Sequence, residues 1–308
     1  MSDYLRWLSE RVNVLVVDAS PAQVFEAHHR AWSKFLAHVP VDPAIDRLNG
    51  KVVGVLTGLD LVETDKLVIA DDDVRYGEAS LTRTIGFLDR FDLVRPQNYF
   101  SALPWHATWD TARTLLNRSF GADYPGTLAV RTKVLKSTGG YDGDVLFENL
   151  EMIRTVKALG GTEIAPLDLY VRRLPPGTDH FVGQRVRQAY DEFTLPARLI
   201  AFLSVVPLLT LAVRKNAWAR VGAAAVGLVG VAEIGRTRAG GRKFFPARAS
   251  WFAPLWVLER GLCMWLALGR RIFWGGVPYG GRKIRRAANS LRKLKRRYGG
   301  VTAGRSRP

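Results

Sequence analysis

The sequence has a single cysteine, Cys263, among 308 residues, and neither a CxxC pair nor an HExxH run. An internal disulfide and the familiar zinc motifs are thereby excluded, and the chain is not built for an oxidising compartment. No signal peptide is expected, because residues 1–17 mix charges into a short amphipathic helix followed by a strand. The N-terminal part is therefore expected in the cytoplasm. Internal repeats and low-complexity tracts are missing too. Disorder is excluded by composition, since 47% hydrophobic with 24% charged residues is globular.

Acidic residues are missing from one long stretch. Between Gly269 and Pro308 there is none, whereas thirteen of the chain's Lys and Arg residues lie there, against a net charge of +17. A pI near 10.4 alone suggests nucleic acid or an anionic membrane. A nucleic-acid binder would spread its charge over the folded domain, so no nucleic-acid partner is expected. Residues 195–268, just before the basic stretch, are the most apolar of the chain, and an apolar block followed by a polybasic run reads as membrane helices with a cytoplasmic tail. Leu195 to Val213 and Ala217 to Ile234 are expected to span. Trp251 to Leu268 carries Glu259 and Arg260 mid-segment and is expected to lie in the interface or re-enter. The expected location is the inner cell membrane, multi-pass.

Residues 1–175 read as an α/β domain. Asn13 to Asp18, Val52 to Leu56, Lys66 to Ala70 and Asp92 to Val94 have strand character, and Gln23 to Leu36, Trp105 to Asn117 and Leu146 to Leu159 have helical character. That rhythm predicts a mostly parallel, layered sheet. Pro175, Pro176 and Gly177 mark a junction, 176–194, leading into the apolar block.

The sharpest local pattern is KLVIADDDVRY, in which four apolar residues end in Asp71, Asp72 and Asp73. Ligands collect beyond the carboxyl ends of strands in open sheets, and adjacent carboxylates there repel unless a cation shares them. Mg²⁺ or Mn²⁺, which also grip a diphosphate, are the natural occupants.

Other segments follow in order: VNVLVVDAS ending in Asp18, LNGKVVGVLTG at 48–58, GGYDGDVLFENLEM at 139–152, QRVRQAY at 184–190 and VPYGGRK at 277–283. Together these resemble the inverting family 2 glycosyltransferases, membrane-bound and close to the ceramide glucosyltransferase-like branch. The resemblance implies a GT-A nucleotide-sugar-binding domain followed by C-terminal membrane helices. It implies transfer of a sugar, with inversion, from a nucleoside diphosphate sugar to a lipid or lipid-linked hydroxyl acceptor. It gives Asp18 a contact to the base, places Lys51 near the nucleotide-sugar, and assigns the ribose and metal to Asp71 and Asp73. Gln184 and Arg187 fall on the Q and R of QxxRW, which grips the diphosphate.

Three departures stand out. Gln188 occupies the tryptophan position of QxxRW. Asn149 occupies the position of the usual catalytic base, so Glu148 or Glu151, three residues apart on one helix, is expected to supply that carboxylate. The first strand of the family's domain is expected to be absent, because a helix, Asp3 to Val12, opens the chain. These departures also support an alternative, a catalytically impaired or truncated membrane binding protein of the same fold. RPQNYFSALPWHATWD at 95–110 offers Trp105 and His106 as a wall for the acceptor. His28 and His29, beside Trp32, read as surface or packing residues rather than metal ligands.

Overall fold

Short apolar runs separated by 3.6-periodic stretches give the first 175 residues their alternation of strands and helices. The computed structural model describes residues 1–302, so Arg305 and Arg307 lie outside the described residues. Helix α1 (Ser2–Ser9) leads to β1 (Leu15–Asp18), α2 (Ala22–Trp32) and β2 (Ala37–Pro40), which pairs in parallel with β1. Helix α3 (Gly50–Leu61) comes next and contains Val52 to Leu56, the run read above as a strand. The spacing explains the correction. Val52, Val55, Leu56 and Leu59 fall at helical intervals and all join the main core, while the Asn49 side chain caps the helix by accepting from the Lys51 amide.

The α/β part is completed by β3 (Lys66–Ala70), β4 (Val74–Arg75), α4 (Glu78–Phe87), β5 (Leu93–Val94), β6 (Gln97–Phe100), α5 (Trp105–Phe120), β7 (Thr127–Arg131), α6 (Thr132–Lys136), α7 (Glu148–Ala158), β8 (Glu163–Ile164) and β9 (Tyr170–Arg173). These strands form a four-stranded sheet in the order β3-β7-β5-β8 and a three-stranded one in the order β4-β9-β6. The sheets are mixed, not mostly parallel. Strand β7, reached through β6 and α5, runs against both its neighbours, β3 and β5. Strand β1 bonds only β2, and β3 only β7, among the described residues, so each leaves one edge without a strand. Helix α3 spans both: Val17 and Leu15 press on Gly58, and Val55 and Leu56 sit in the core with Leu67 and Ile69.

Helix α8 (Thr178–Tyr190) and a 3₁₀ turn at 191–194 lead into α9 (Pro196–Arg214), α10 (Trp218–Thr237), the short α11 (Arg248–Trp251) and α12 (Ala253–Phe273). Helix α9, and α10 with the turn that extends it to Lys243, are the two described helices long and apolar enough to cross a membrane. Helix α12 is different. It turns Glu259 and Arg260 toward the protein, where Trp109 Nε1 donates to Glu259 at 2.7 Å, and leaves Leu255, Leu262, Trp265 and Leu266 exposed.

The stretch expected as a basic tail is folded through most of its described length. Strands β10 (Val277–Tyr279) and β11 (Arg282–Ile284) form an antiparallel hairpin, and Val277 and Ile284 are fully buried. Helix α13 (Leu291–Thr302) lies on α7 and sends Leu294 and Tyr298 into the main core. Apolar residues at 291, 294 and 298 give α13 one apolar face, and its Lys and Arg residues occupy the other. Charge counting saw only the second face. Leu294→Ala is expected to cost about 2–5 kcal/mol, the usual range for truncating a buried leucine. Chemical denaturation of the wild-type and variant chains measures this, and a solvated tail would give no change.

Candidate active site

A cavity of about 480 Å³ opens where the α/β part meets the apolar helices. Its floor comes from β3, α3 and α7, through Asp71, Asp73, Lys51 and Glu148. Its far wall comes from Leu195, Arg198 and Arg260.

The three aspartates stand at the carboxyl end of β3, and protein cations already answer their repulsion. Lys51, in the first turn of α3, places Nζ 2.6 Å from Asp71 Oδ1 and donates to Glu148 Oε1 at 2.8 Å. Burial disfavours the Lys51 charge, but the pull of Glu148 and Asp71 overrides it and holds the ammonium well above its ordinary pKa. On the other side, Arg173 from β9 donates through Nε to Asp73 at 2.7 Å and through Nη2 to Asp71 at 3.4 Å. Burial raises the Asp73 pKa, and Arg173 only partly offsets it. Asp72 is exposed. Lys51 and Arg173 thus supply positive charge beside the cluster from the protein itself.

The donor set still fits a hard divalent ion. Asp71 and Asp73 offer carboxylate oxygens from side chains about a quarter exposed to the cavity, at 23% and 24%. Gly126 keeps the space beside them open, because a Cβ there would stand 2.6 Å from Asp71 Oδ2 and 3.1 Å from the Arg173 guanidinium carbon.

The cavity also holds a carboxyl that the sequence did not advertise. Asp191 lines it, and its Oδ1 is buried without a hydrogen-bond partner. Burial first, and the charge of Glu148 second, raise the Asp191 pKa well above the usual carboxylate value, with Arg260 opposing in part. No motif marks this residue. Only the DEFT turn, which stops α8 and begins the apolar helices, brings it to the cavity.

Of the residues expected in the site, Lys51, Asp71, Asp73, Glu148, Gln184 and Arg187 do line the cavity. Arg187 lies over the Tyr279 ring at 5.0 Å, which brings the VPYGGRK segment to the cavity. Gln184 contacts His180, and Gln188 accepts from Arg185 Nη2 at 2.8 Å, fixing the guanidinium that pairs with Asp110. The other expected residues lie elsewhere. Glu151 is fully buried and accepts from the backbone and side-chain amides of Asn289, both at 2.7 Å, so it fastens the C-terminal segment to α7. His106 Nε2 lies 2.8 Å from the Pro176 carbonyl oxygen, and Trp105, 54% exposed, stands edge-on against Phe181. Neither lines the cavity, which instead takes Asp110, Arg113 and Asn117 from the next turns of the same helix. Asp18 is also outside it, with Oδ1 accepting from the Ser20 amide and Oδ2 close to two histidines.

The raised pKa of Asp191 gives a pH-dependent stability with a defined sign. Below the unfolded-state value the proton is present in both states. As pH rises toward the folded value, the unfolded chain ionises while the buried carboxyl does not, so stability is lost. Asp191→Asn removes that loss. The variant is expected to melt above the wild type in detergent, with a larger gap at about pH 7 than at about pH 4.5. Thermal scans at the two pH values measure it.

No protein-family model matches the chain, and no curated protein matches it. Among solved structures it is similar to a mannosyltransferase from Pyrobaculum calidifontis in complex with GDP-Man and Mn²⁺. That match has a TM-score of 0.50 at 19% identity and covers 82% of this chain and 78% of that one. A mycobacterial protein also matches, with a TM-score of 0.40 at 14% identity, over 58% of this chain and 66% of that one. The first likeness shows the fold alone: this chain shares the mixed α/β fold of that mannosyltransferase.

Proposed function

We propose that the protein is a membrane-associated glycosyltransferase that moves a sugar, with inversion, from a nucleoside diphosphate sugar to a hydroxyl on a lipid or lipid-linked acceptor. The observation that carries this reading is the composition of the cavity described above. One end holds paired acids and cations at a strand terminus, and the other is walled by the start of α9 and by α12. Of the 22 exposed large apolar side chains among the described residues, fifteen fall between Ile200 and Trp274. An apolar surface on that scale favours a bilayer over water. The cytoplasmic, inner-membrane location belongs to the same proposal.

The residues divide by task. Lys51, Gln184 and Arg187 bind the donor diphosphate. Asp71 and Asp73 would hold Mg²⁺ or Mn²⁺, an ion that neutralises charge on a diphosphate. Glu148 takes the proton from the attacking hydroxyl, and its contact with Lys51 keeps the carboxylate in the cavity. Asn149 cannot do so; its amide donates to the Pro125 carbonyl at 2.9 Å and its oxygen accepts from Lys51.

A double Asp71→Asn, Asp73→Asn variant is expected to fold and to lose metal-dependent donor binding and turnover. Titration with GDP- and UDP-sugars in the presence of Mn²⁺ tests it, and full activity in the double variant would reject the assignment. Glu148→Gln is expected to lower turnover at least about a hundredfold, the scale of a lost general base. If the wild-type chain binds donor but neither hydrolyses nor transfers it, the protein is a binding module of this fold.

A further inference from the structure

The two-stranded β1–β2 unit carries a side-chain cluster that the donor cavity does not use. Strand β1 ends at Asp18, β2 brings His38 opposite Val16, two residues earlier on the same face, and α2 lays His28 across them. His28 Nδ1 lies 2.7 Å and His38 Nε2 3.2 Å from Asp18 Oδ2, and all three atoms fall within 4.8 Å of one another. We propose that Asp18, His28 and His38 form a binding site for a borderline-soft divalent ion of the Zn²⁺ type, separate from the hard-oxygen pair Asp71 and Asp73.

The donor set is two imidazole nitrogens and one carboxylate oxygen, which suits Zn²⁺ and leaves a fourth position for water. Access matches. The His38 side chain is fully buried and that of Asp18 is 10% exposed, whereas that of His28 is 35% exposed, so the cluster opens to solvent on the His28 side. The rings are held from outside. Trp32 stacks on His28 at 4.3 Å and Phe25 on His38 at 4.6 Å, so neither imidazole needs to be ordered by the ion. His29 Nδ1 lies 3.1 Å from His38 Nδ1 and can take a proton from it, which leaves the His38 Nε2 lone pair facing the ion. Such a partner on the far nitrogen is what metal-bound histidines usually have. The alternative is a proton network, in which both rings donate N–H groups to one carboxylate oxygen and nothing else binds.

The ion would fasten α2 to the two-stranded β1–β2 sheet. Its presence would therefore register in stability as well as in binding.

The test uses the full chain in detergent, stripped with a chelator and titrated with Zn²⁺ alone by calorimetry. One tight Zn²⁺ per chain is expected, and His28→Ala should weaken it at least about tenfold, the scale seen when even an outer partner of a ligand is lost. Because His28 is partly exposed, this variant keeps the fold where His38→Ala risks losing it. Zn²⁺ should raise the melting temperature of the wild type and not that of His28→Ala. The double Asp71→Asn, Asp73→Asn variant should bind Zn²⁺ as the wild type does. The proposal is overturned if the wild type binds no Zn²⁺, if His28→Ala binds it equally, or if the double variant loses it.

Discussion

Lys51 is the point on which this architecture turns. Its ammonium touches Asp71 at the end of β3 and Glu148 at the start of α7, while its backbone opens α3. Three elements distant in sequence are thereby tied by one partly buried charge. Removing a partner from such a cluster leaves an unpaired charge out of water, which costs far more than an exposed ion pair contributes. Arg173 makes the corresponding link from β9 to Asp71 and Asp73. In the proposed function, Lys51 and Arg173 would meet a diphosphate from positions these contacts already hold, with little reorganisation.

That site was legible in the sequence because its residues sit at element boundaries. KLVIADDD announces a strand and its end, and Asn49-Gly50-Lys51 announces a helix start. What stayed illegible depended on tertiary neighbours. Val52 to Leu56 has strand composition, and only its continuation to Leu59 shows the helical period. Glu148 and Glu151 look equivalent on the helix, yet one faces the cavity and the other is consumed by Asn289, 138 residues away. Asp191 is one acid among several until the fold strips it of partners. His28 and His38 are ten residues apart, on a helix and a strand, a spacing that matches no metal motif. The basic segment misled for the opposite reason: a run of charge masks three apolar residues of α13 that decide where it goes.

The polybasic segment also bears on the membrane reading. Arg286 and Arg297 lie 3.7 and 3.5 Å from Asp142, and Arg154 donates to the Asn289 carbonyl, so part of the charge serves the contact between α13 and the domain. What remains faces outward from a folded surface, where it is held in register and is not free to sweep. A fixed basic face attracts anionic head groups at less entropic cost than a disordered tail.

The apolar helices are fastened to the α/β domain, and this constrains how they can meet a bilayer. Arg118 of α5 is fully buried and donates to the carbonyls of Gly235, Leu167 and Arg238. Gly235 allows that closeness, since a Cβ there would overlap the Leu115 carbonyl. Helix α10 meets α5 along its C-terminal half, where Leu228, Val231 and Ala232 pack with Leu115 and Leu116. In the proposed arrangement α10 can enter the bilayer only with the domain drawn against the head groups. The exposed face of α12, with Leu255, Leu262, Trp265 and Leu266, is the surface that draws it there. Leu195 and Arg198, at the start of α9, line the cavity, so the proposed lipid-borne acceptor would enter it on the side of the apolar helices.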